Sequence, residues 1–229
     1  MKINNITETE TQKNDSIIIE NKIFPIESIK SKNIYEMLVK HNNTIPVALA
    51  KRCDEFPFLN DQDFKHFFLL PKQTVRDTKL QVFQFKIIHR ILPCQENLRK
   101  WKLSEHGLCG NCASIETLEH LLFYCCKAHE FWYSIQRWIS DILKVQIRLS
   151  VVDVLFGIPG RHESCSNLYI NFIIMHAKYY LFKCKLDAAD IFMLTFLKYL
   201  KYHINTDSYI DSMKHCDDEN IWYRLLALM

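Results

Sequence analysis

A group of three cysteines and one histidine constrains this chain more than any other feature of its sequence. Cys109 and Cys112 are separated by two residues, His120 follows after seven more, and Cys125 after another four. Three thiolates and one imidazole can complete a tetrahedral shell around a zinc ion. A shell of four protein ligands leaves no position for water, so it stabilises a fold and does not perform catalysis. The spacing predicts one structural Zn²⁺ in a CCHC site.

Other interpretations of these residues stay open at the level of sequence. The chain has nine cysteines, and free cysteines are often inert residues buried in a core. A redox Cys-x-x-Cys pair is disfavoured because no βαβ pattern surrounds it. Cys126 or His129 could replace Cys125 as the fourth ligand, although Cys125 fits the usual ligand spacing best.

The composition favours a helical protein that is large enough to bury a core. The chain has 229 residues, of which 48% are hydrophobic and 24% charged, as is ordinary for globular proteins. Only four glycines and six prolines are present, which argues against a turn-rich β architecture. We therefore predict a mainly α fold, an irregular helical domain built around a structural zinc knuckle.

The cysteine count and the first residues favour an intracellular protein, nuclear or cytoplasmic. The number of cysteines is odd, and residues 1–15 lack the apolar stretch of a signal peptide. The longest apolar run, residues 168–182, contains Asn171, His176 and Lys178. This run is too short and too polar to span a bilayer, so we expect no membrane partner.

The pattern of polar and apolar residues divides the chain into four predicted segments. Residues 1–30 are polar and are predicted to be disordered. Residues 31–75 form a helical N-terminal part, 76–145 the zinc-binding region with a basic helix, and 146–229 a helical C-terminal part. Within them we predict helices at residues 33–42, 47–56, 61–69, 76–92, 96–101, 117–124, 128–143, 167–185, 188–203 and 221–228.

The predicted helix 76–92 has an apolar side and a basic side. Its inward arc contains Leu80, Ile87 and Ile91, extended by Phe85, Ile88 and Leu92, and Pro93 ends the helix. Phe83 falls among the basic residues of the other side. In the helix 128–143 the aromatic stripe indicates core packing more than base stacking; its members are Phe131, Ile135, Trp138, Ile139 and Ile142.

Positive charge is concentrated just before the zinc motif. Residues 72–102 contain eight lysines or arginines against two acidic residues. Such a concentration is typical of a phosphate-binding surface, and a solvated helix face is an equally open alternative.

The segment from Asp77 to Trp132 resembles a known family. It reads DTKLQVFQFKIIHRILPCQENLRKWKL, then LCGNC, ETLEHLLFYC and an FW pair. It is similar to the zinc-binding domain in the cysteine-rich C-terminal region of LINE-type (non-LTR) retrotransposon reverse transcriptases. The downstream DVLFG and AKYYLFKCKL segments are similar too. The resemblance implies that Cys109, Cys112, His120 and Cys125 bind zinc, although Cys126 stands where the family usually has proline.

The resemblance implies a non-catalytic module that binds RNA or an RNA–DNA hybrid during target-primed reverse transcription. The polymerase and endonuclease domains of the family are absent from this chain, so we expect a truncated fragment without enzymatic activity and without a small-molecule substrate. Trp101 and Phe83 are weaker candidates for base stacking. The predicted phosphate contacts are Lys79, Lys86, Arg90, Arg99, Lys100 and Lys102.

Two other classes of function remain. One is a protein-interaction module that uses the zinc unit as a scaffold. The other is a metal hydrolase, which the ligand set disfavours because catalytic zinc keeps a water ligand and usually has fewer cysteines. The oligomeric state cannot be predicted from the sequence.

Overall fold

A computed structural model describes residues 16–19, 22–25, 30–32, 35, 55–144, 146–158 and 165–213. The chain divides into two units, Met1–Glu55 and Phe56–Met229. Of the predicted helices, 33–42 and 47–56 lie largely outside the described residues, and 221–228 lies entirely outside them.

The first unit contains a β-hairpin. Strands β1 (Ser16–Ile19) and β2 (Lys22–Pro25) pair antiparallel, with Ser16 opposite Pro25 and Ile19 opposite Lys22. The prediction of disorder for residues 1–30 does not anticipate these strands. That prediction rests on the polar composition of the whole segment, whereas three consecutive β-branched isoleucines favour a strand locally.

The second unit is helical, which confirms the prediction of a mainly α fold. Its helices are named here in chain order. They are α1 (Asp61–Thr74), α2 (Thr78–Ile88), α3 (Gln95–Lys100), a π-helical turn (His120–Tyr124), α4 (Cys126–Leu143), α5 (Val151–Phe156), α6 (Cys165–Leu186) and α7 (Met193–Met213).

Helix α6 forms the centre of this unit. It contacts α1, α2, α7 and the π-helical turn, and buried side chains occur around its whole circumference. A helix that is apolar on all sides belongs in a core. Its polar residues Asn171, His176 and Lys178 are buried as well. Within the described ranges, no helix is both long enough and apolar enough to cross a membrane.

Helix α1 begins where the sequence predicts. The Asn60 side chain accepts hydrogen bonds from the backbone N–H groups of Gln62 and Asp63, and the Asp63 carboxylate accepts one from the Asn60 backbone N–H. This capping box satisfies N–H groups that have no partner within the helix. The helix then continues five residues past the predicted end at residue 69, to Thr74, with Pro71 inside it.

Helix α2 is shorter than predicted, and its buried face is displaced around the helix axis. It begins after the Asp77 cap and ends at Ile88, because Arg90 adopts a left-handed backbone conformation with φ 55°. Phe85 and Ile91, predicted to face inward, are 50% and 46% exposed. The helical wheel places Ile91 wrongly because that residue lies beyond the end of the helix. The buried residues are Leu80, Phe83, Gln84, Ile87 and Ile88.

Three residues of the predicted α4 stripe pack in the core, and Trp138 and Ile142 are half-buried. Phe131, Ile135 and Ile139 are buried, and the Phe131 ring contacts the rings of Tyr180 and Phe196. Trp132 is also buried, and its Nε1–H donates to the Leu122 carbonyl at 2.6 Å. This bond joins α4 to the π-helical turn that precedes it.

Replacing Gly157 by alanine should destabilise the helical unit by about 2–4 kcal/mol. Gly157 has φ 94°, and an added Cβ would lie 2.2 Å from Leu70 Cδ2 and 3.0 Å from Asn171 Oδ1. Gly110→Ala is the matched control, since a Cβ there meets no atom within 4 Å. Urea unfolding of the zinc-loaded proteins measures both changes. Equal effects of the two substitutions would contradict this account of Gly157.

Lys178 should make stability depend on pH. Its ammonium group is buried beside Gln84 Oε1 at 2.5 Å and the Leu155 carbonyl at 3.3 Å, and burial lowers its pKa to about 7. The unfolded chain therefore binds more protons than the folded one above pH about 7, and stability rises with pH. Compared with Lys178→Met, the native protein should gain about 2 kcal/mol between pH 7 and 9 in urea unfolding. Parallel pH profiles would exclude this role of Lys178.

Candidate metal centre

Cys109 and Cys112 lie in a small hairpin between α3 and the π-helical turn. Leu108 and Ile115 form an isolated β-bridge at its base, and the Cys109 N–H donates to the Ser114 carbonyl at 2.8 Å. The Asn111 N–H points at Cys109 Sγ, at 3.4 Å. The positive φ that the turn requires occurs at Ala113, with φ 55°, and Gly110 is not among the residues with positive φ. Gly110 is therefore not needed for its conformational freedom.

His120 and Cys125 lie at the two ends of the π-helical turn. The Thr117 side chain accepts a hydrogen bond from the His120 N–H at 3.1 Å and starts the turn. The Cys125 N–H donates to the His120 carbonyl at 2.8 Å and closes it over five residues. The sequence predicts an ordinary helix at 117–124, but the observed turn is wider. The wide turn brings both ligand side chains to one point.

The structure brings together the four residues that the motif predicts. One ligand atom from each of Cys109, Cys112, His120 and Cys125 can be chosen so that all four lie within 4.8 Å of one another. The Cys109 and Cys125 sulfur atoms are 3.7 Å apart, and Cys112 Sγ lies 3.1 Å from His120 Nε2. Tetrahedral zinc places two sulfur ligands about 3.8 Å apart and a sulfur and a nitrogen about 3.6 Å apart.

The two alternative fourth ligands lie outside this group. Cys126 and His129 are exposed, whereas Cys125 is buried. Cys126 is the first residue of α4, and the His129 N–H donates to the Cys125 carbonyl at 2.8 Å. The chain therefore turns Cys125 inward at the start of the helix and leaves its neighbour at the surface.

The surroundings of the thiols differ. Burial raises the pKa of Cys125 to about 12, and a backbone hydrogen bond from Ser114 lowers the pKa of Cys112. A bound cation deprotonates a coordinating thiol, so it would supply the positive charge that the buried Cys125 thiolate needs. The donor set of three sulfurs and one imidazole nitrogen suits Zn²⁺.

Glu116 connects the hairpin to the helical core, and sequence analysis did not identify it. Its buried carboxylate accepts a hydrogen bond from the Gln95 N–H at 2.8 Å and forms an ion pair with Lys185. Lys185 also donates to the Pro93 carbonyl at 3.3 Å. Glu116 therefore caps the N-terminus of α3 and also links it to α6 through Lys185. No local pattern could reveal this, because Lys185 lies 69 residues away.

The six predicted phosphate contacts do not share one environment. Lys79, Lys86, Arg99, Lys100 and Lys102 are exposed. Arg90 is half-buried, and its guanidinium forms an ion pair with the Glu119 carboxylate, which is adjacent in sequence to His120 of the cluster. The Lys100 ammonium lies 2.9 Å from Glu96, one helical turn away.

The two candidates for base stacking also differ. Trp101 is 45% exposed at the end of α3. Phe83 is buried, with its ring against those of Tyr179 and Phe182, so the suggestion that it stacks on bases is wrong. The predicted arc contains Leu80, Ile87 and Ile88, which are buried, but the buried face extends further around α2 and includes Phe83.

Comparison with known families identifies this segment. Residues 30–132 match the family model described as zinc-binding in reverse transcriptase. The match includes all four residues of the cluster and confirms the resemblance of this segment to a zinc-binding domain of reverse transcriptases. No curated protein and no solved structure shows significant similarity to the chain.

The zinc content of single variants should distinguish the proposed ligands from the residues next to them. We expect the purified protein to contain about one zinc ion per chain, because four donors complete one tetrahedral shell. Cys109→Ser, His120→Ala and Cys125→Ser should lose the ion during dialysis against a weak chelator. Elemental analysis by mass spectrometry measures the content.

Cys126→Ser is the matched control, since it removes a thiol next to a ligand from an exposed position. It should keep its zinc. Retention by Cys125→Ser together with loss by Cys126→Ser would refute the assignment of the fourth ligand.

Proposed function

We propose that this chain is a non-catalytic, zinc-stabilised RNA-binding module of the reverse-transcriptase type. The single observation that carries the proposal is the convergence of four zinc-type donors within a segment that matches a zinc-binding family of reverse transcriptases. The exposed lysines and arginines that precede the cluster supply the charge for a polyanionic partner.

The zinc would act on structure and not on chemistry. Cys109 and Cys125 are 5% and 4% exposed, and all four positions of a tetrahedral shell would be filled by protein ligands. A zinc ion without an open position cannot bind a water or a substrate. The zinc would therefore fix the hairpin and the π-helical turn as a CCHC knuckle.

RNA is the partner that this arrangement favours. Zinc knuckles recognise single-stranded RNA, and cations next to them bind its phosphates. The five exposed candidates are Lys79, Lys86, Arg99, Lys100 and Lys102, with Trp101 available to stack on a base. Arg90 is better suited to holding α2 against residues 101–125, the metal loop, through Glu119 than to binding phosphate.

Its biological role would then be to hold RNA, or an RNA–DNA hybrid, for a reverse transcriptase of the LINE type during target-primed synthesis. The FW pair, the HRIL segment and the EHLLFYC segment support the assignment to the LINE type. Such a role places the protein inside the cell, where the RNA and its target are found.

A protein-interaction module is the second candidate. Phe68, Leu69 and Phe85 are large apolar residues of α1 and α2 that are exposed to solvent. The two candidates differ in their response to salt. Phosphate contacts weaken steeply with ionic strength, whereas apolar association does not.

Removing exposed cations should reduce both the RNA affinity and its dependence on salt. We expect Lys79→Gln/Lys86→Gln and Lys100→Gln/Lys102→Gln each to weaken binding of a fluorescein-labelled 20-nucleotide poly(U). The slope of log K against log salt should become shallower by about 0.7 for each lysine that binds a phosphate and is replaced. Fluorescence anisotropy between low and moderate salt measures both quantities.

The control variant is Lys198→Gln/Lys201→Gln, which removes the same charge from α7, outside the basic segment that precedes the metal loop. It should change the slope much less. If the unmodified protein shows no binding at low salt, the RNA-binding proposal is wrong. Equal reductions in all three variants would show a general charge effect instead of a defined surface.

A further inference from the structure

A cleft beside α4 belongs to none of the surfaces assigned so far. It lies between α4 and the extended segment 146–149 and has a volume of about 530 Å³, within the range of small-molecule sites. Its lining includes Phe123, His129, Tyr133, Arg137, Ser140 and Arg148.

The walls of the cleft are fixed by side-chain hydrogen bonds. The Leu149 N–H donates to Gln136 Oε1 at 2.7 Å, and the Ile147 N–H donates to Ser140 Oγ at 3.0 Å. These bonds hold the extended segment against α4. Trp132, buried beneath, contributes to the same lining. The cleft is therefore built before any ligand arrives, which reduces the entropic cost of binding.

Positive charge and an aromatic ring meet at the mouth of the cleft. The Arg137 guanidinium lies 5.9 Å from the centroid of the Tyr133 ring, and Tyr133 is 59% exposed. Arg148 belongs to the extended segment 146–149 that forms the other wall. In the part of the chain that the structure describes, neither arginine forms an ion pair. Asp141 is the one carboxylate in the lining.

We propose that this cleft binds one nucleotide of a single-stranded nucleic acid. The base would stack on Tyr133 and the planar Arg137 guanidinium, and Arg148 would bind the adjacent phosphate. Bases extruded from single strands are held by aromatic rings and arginine planes in this way. An acidic peptide would use the arginines but has no flat group that needs Tyr133, so the lining favours a nucleotide.

The cleft shares one residue with the π-helical turn of the metal centre. Phe123, which lines it, belongs to the π-helical turn between the ligands His120 and Cys125. The Phe123 and His129 rings make an edge-type contact, with 6.5 Å between their centroids. Zinc binding would therefore position one wall of the cleft. The inference rests on the proposed RNA-binding function and adds a second contact surface to it.

The test compares three double variants of the zinc-loaded protein. Arg137→Gln/Arg148→Gln removes both guanidinium groups, and Arg137→Lys/Arg148→Lys keeps the charge but removes the planar group. Lys198→Gln/Lys201→Gln removes equal charge from α7. The probe is a fluorescein-labelled poly(U) decamer carrying 5-iodouridine, which reports affinity by anisotropy and contact by photocrosslinking. Circular dichroism and zinc content establish that each variant is folded.

We expect the glutamine variant to bind about tenfold more weakly and to show no crosslink at Tyr133, because the groups that hold the base and the phosphate are both removed. The lysine variant should bind with intermediate affinity, and the α7 variant should bind within about twofold of the unmodified protein. Unchanged affinity and crosslinking in the glutamine variant would overturn the cleft assignment while leaving RNA binding intact.

Two further outcomes would also count against the cleft. Equal affinity for poly-glutamate and for poly(U) would show that it is a general anion site. A crosslink located only near Trp101 would place the base elsewhere. By contrast, a failure of the unmodified protein to bind poly(U) at low salt would refute the proposed function itself.

Discussion

The convergence of Cys109, Cys112, His120 and Cys125 on one point is the constraint on which the loop between α3 and α4 depends. The hairpin of this loop has little apolar burial of its own, since Leu108 and Ile115 at its base are 49% and 57% exposed, whereas the leucines of the turn that follows are buried. Metal coordination can provide the folding energy that apolar burial does not provide here. The match of this segment to a zinc-binding family is consistent with stabilisation of the loop by metal coordination.

The helical core and the metal loop are joined by polar contacts. Glu116 caps α3 and forms an ion pair with Lys185 of α6, and Arg90 pairs with Glu119 next to His120. Removing one partner of the Glu116–Lys185 pair, which is the more buried of the two, would leave an uncompensated charge and cost about 3–5 kcal/mol. The core around α6 has its own apolar burial, so we expect it to stay folded when the loop loses its metal.

Local patterns in the sequence predict the structural features that depend on residues close together in the chain. The ligand spacing, the Asn60 cap and the aromatic stripe of α4 all depend on nearby residues, and each agrees with the structure in position. The predicted inward arc of α2 is right for Leu80, Ile87 and Ile88 but fails at Ile91, because a helical wheel cannot show where a helix ends. Glu116 and the α4 cleft depend on residues far apart or on backbone geometry, so no pattern in the sequence could indicate them.

Hydrogen exchange of the amide groups, with and without a zinc chelator, tests the central claim most directly. If the four ligands organise only the loop, chelation should remove protection from residues 107–125 and the start of α4, while α6 stays protected. The same protection pattern with and without chelator would contradict a structural role for the metal. Loss of protection throughout α6 would contradict the independence of the helical core.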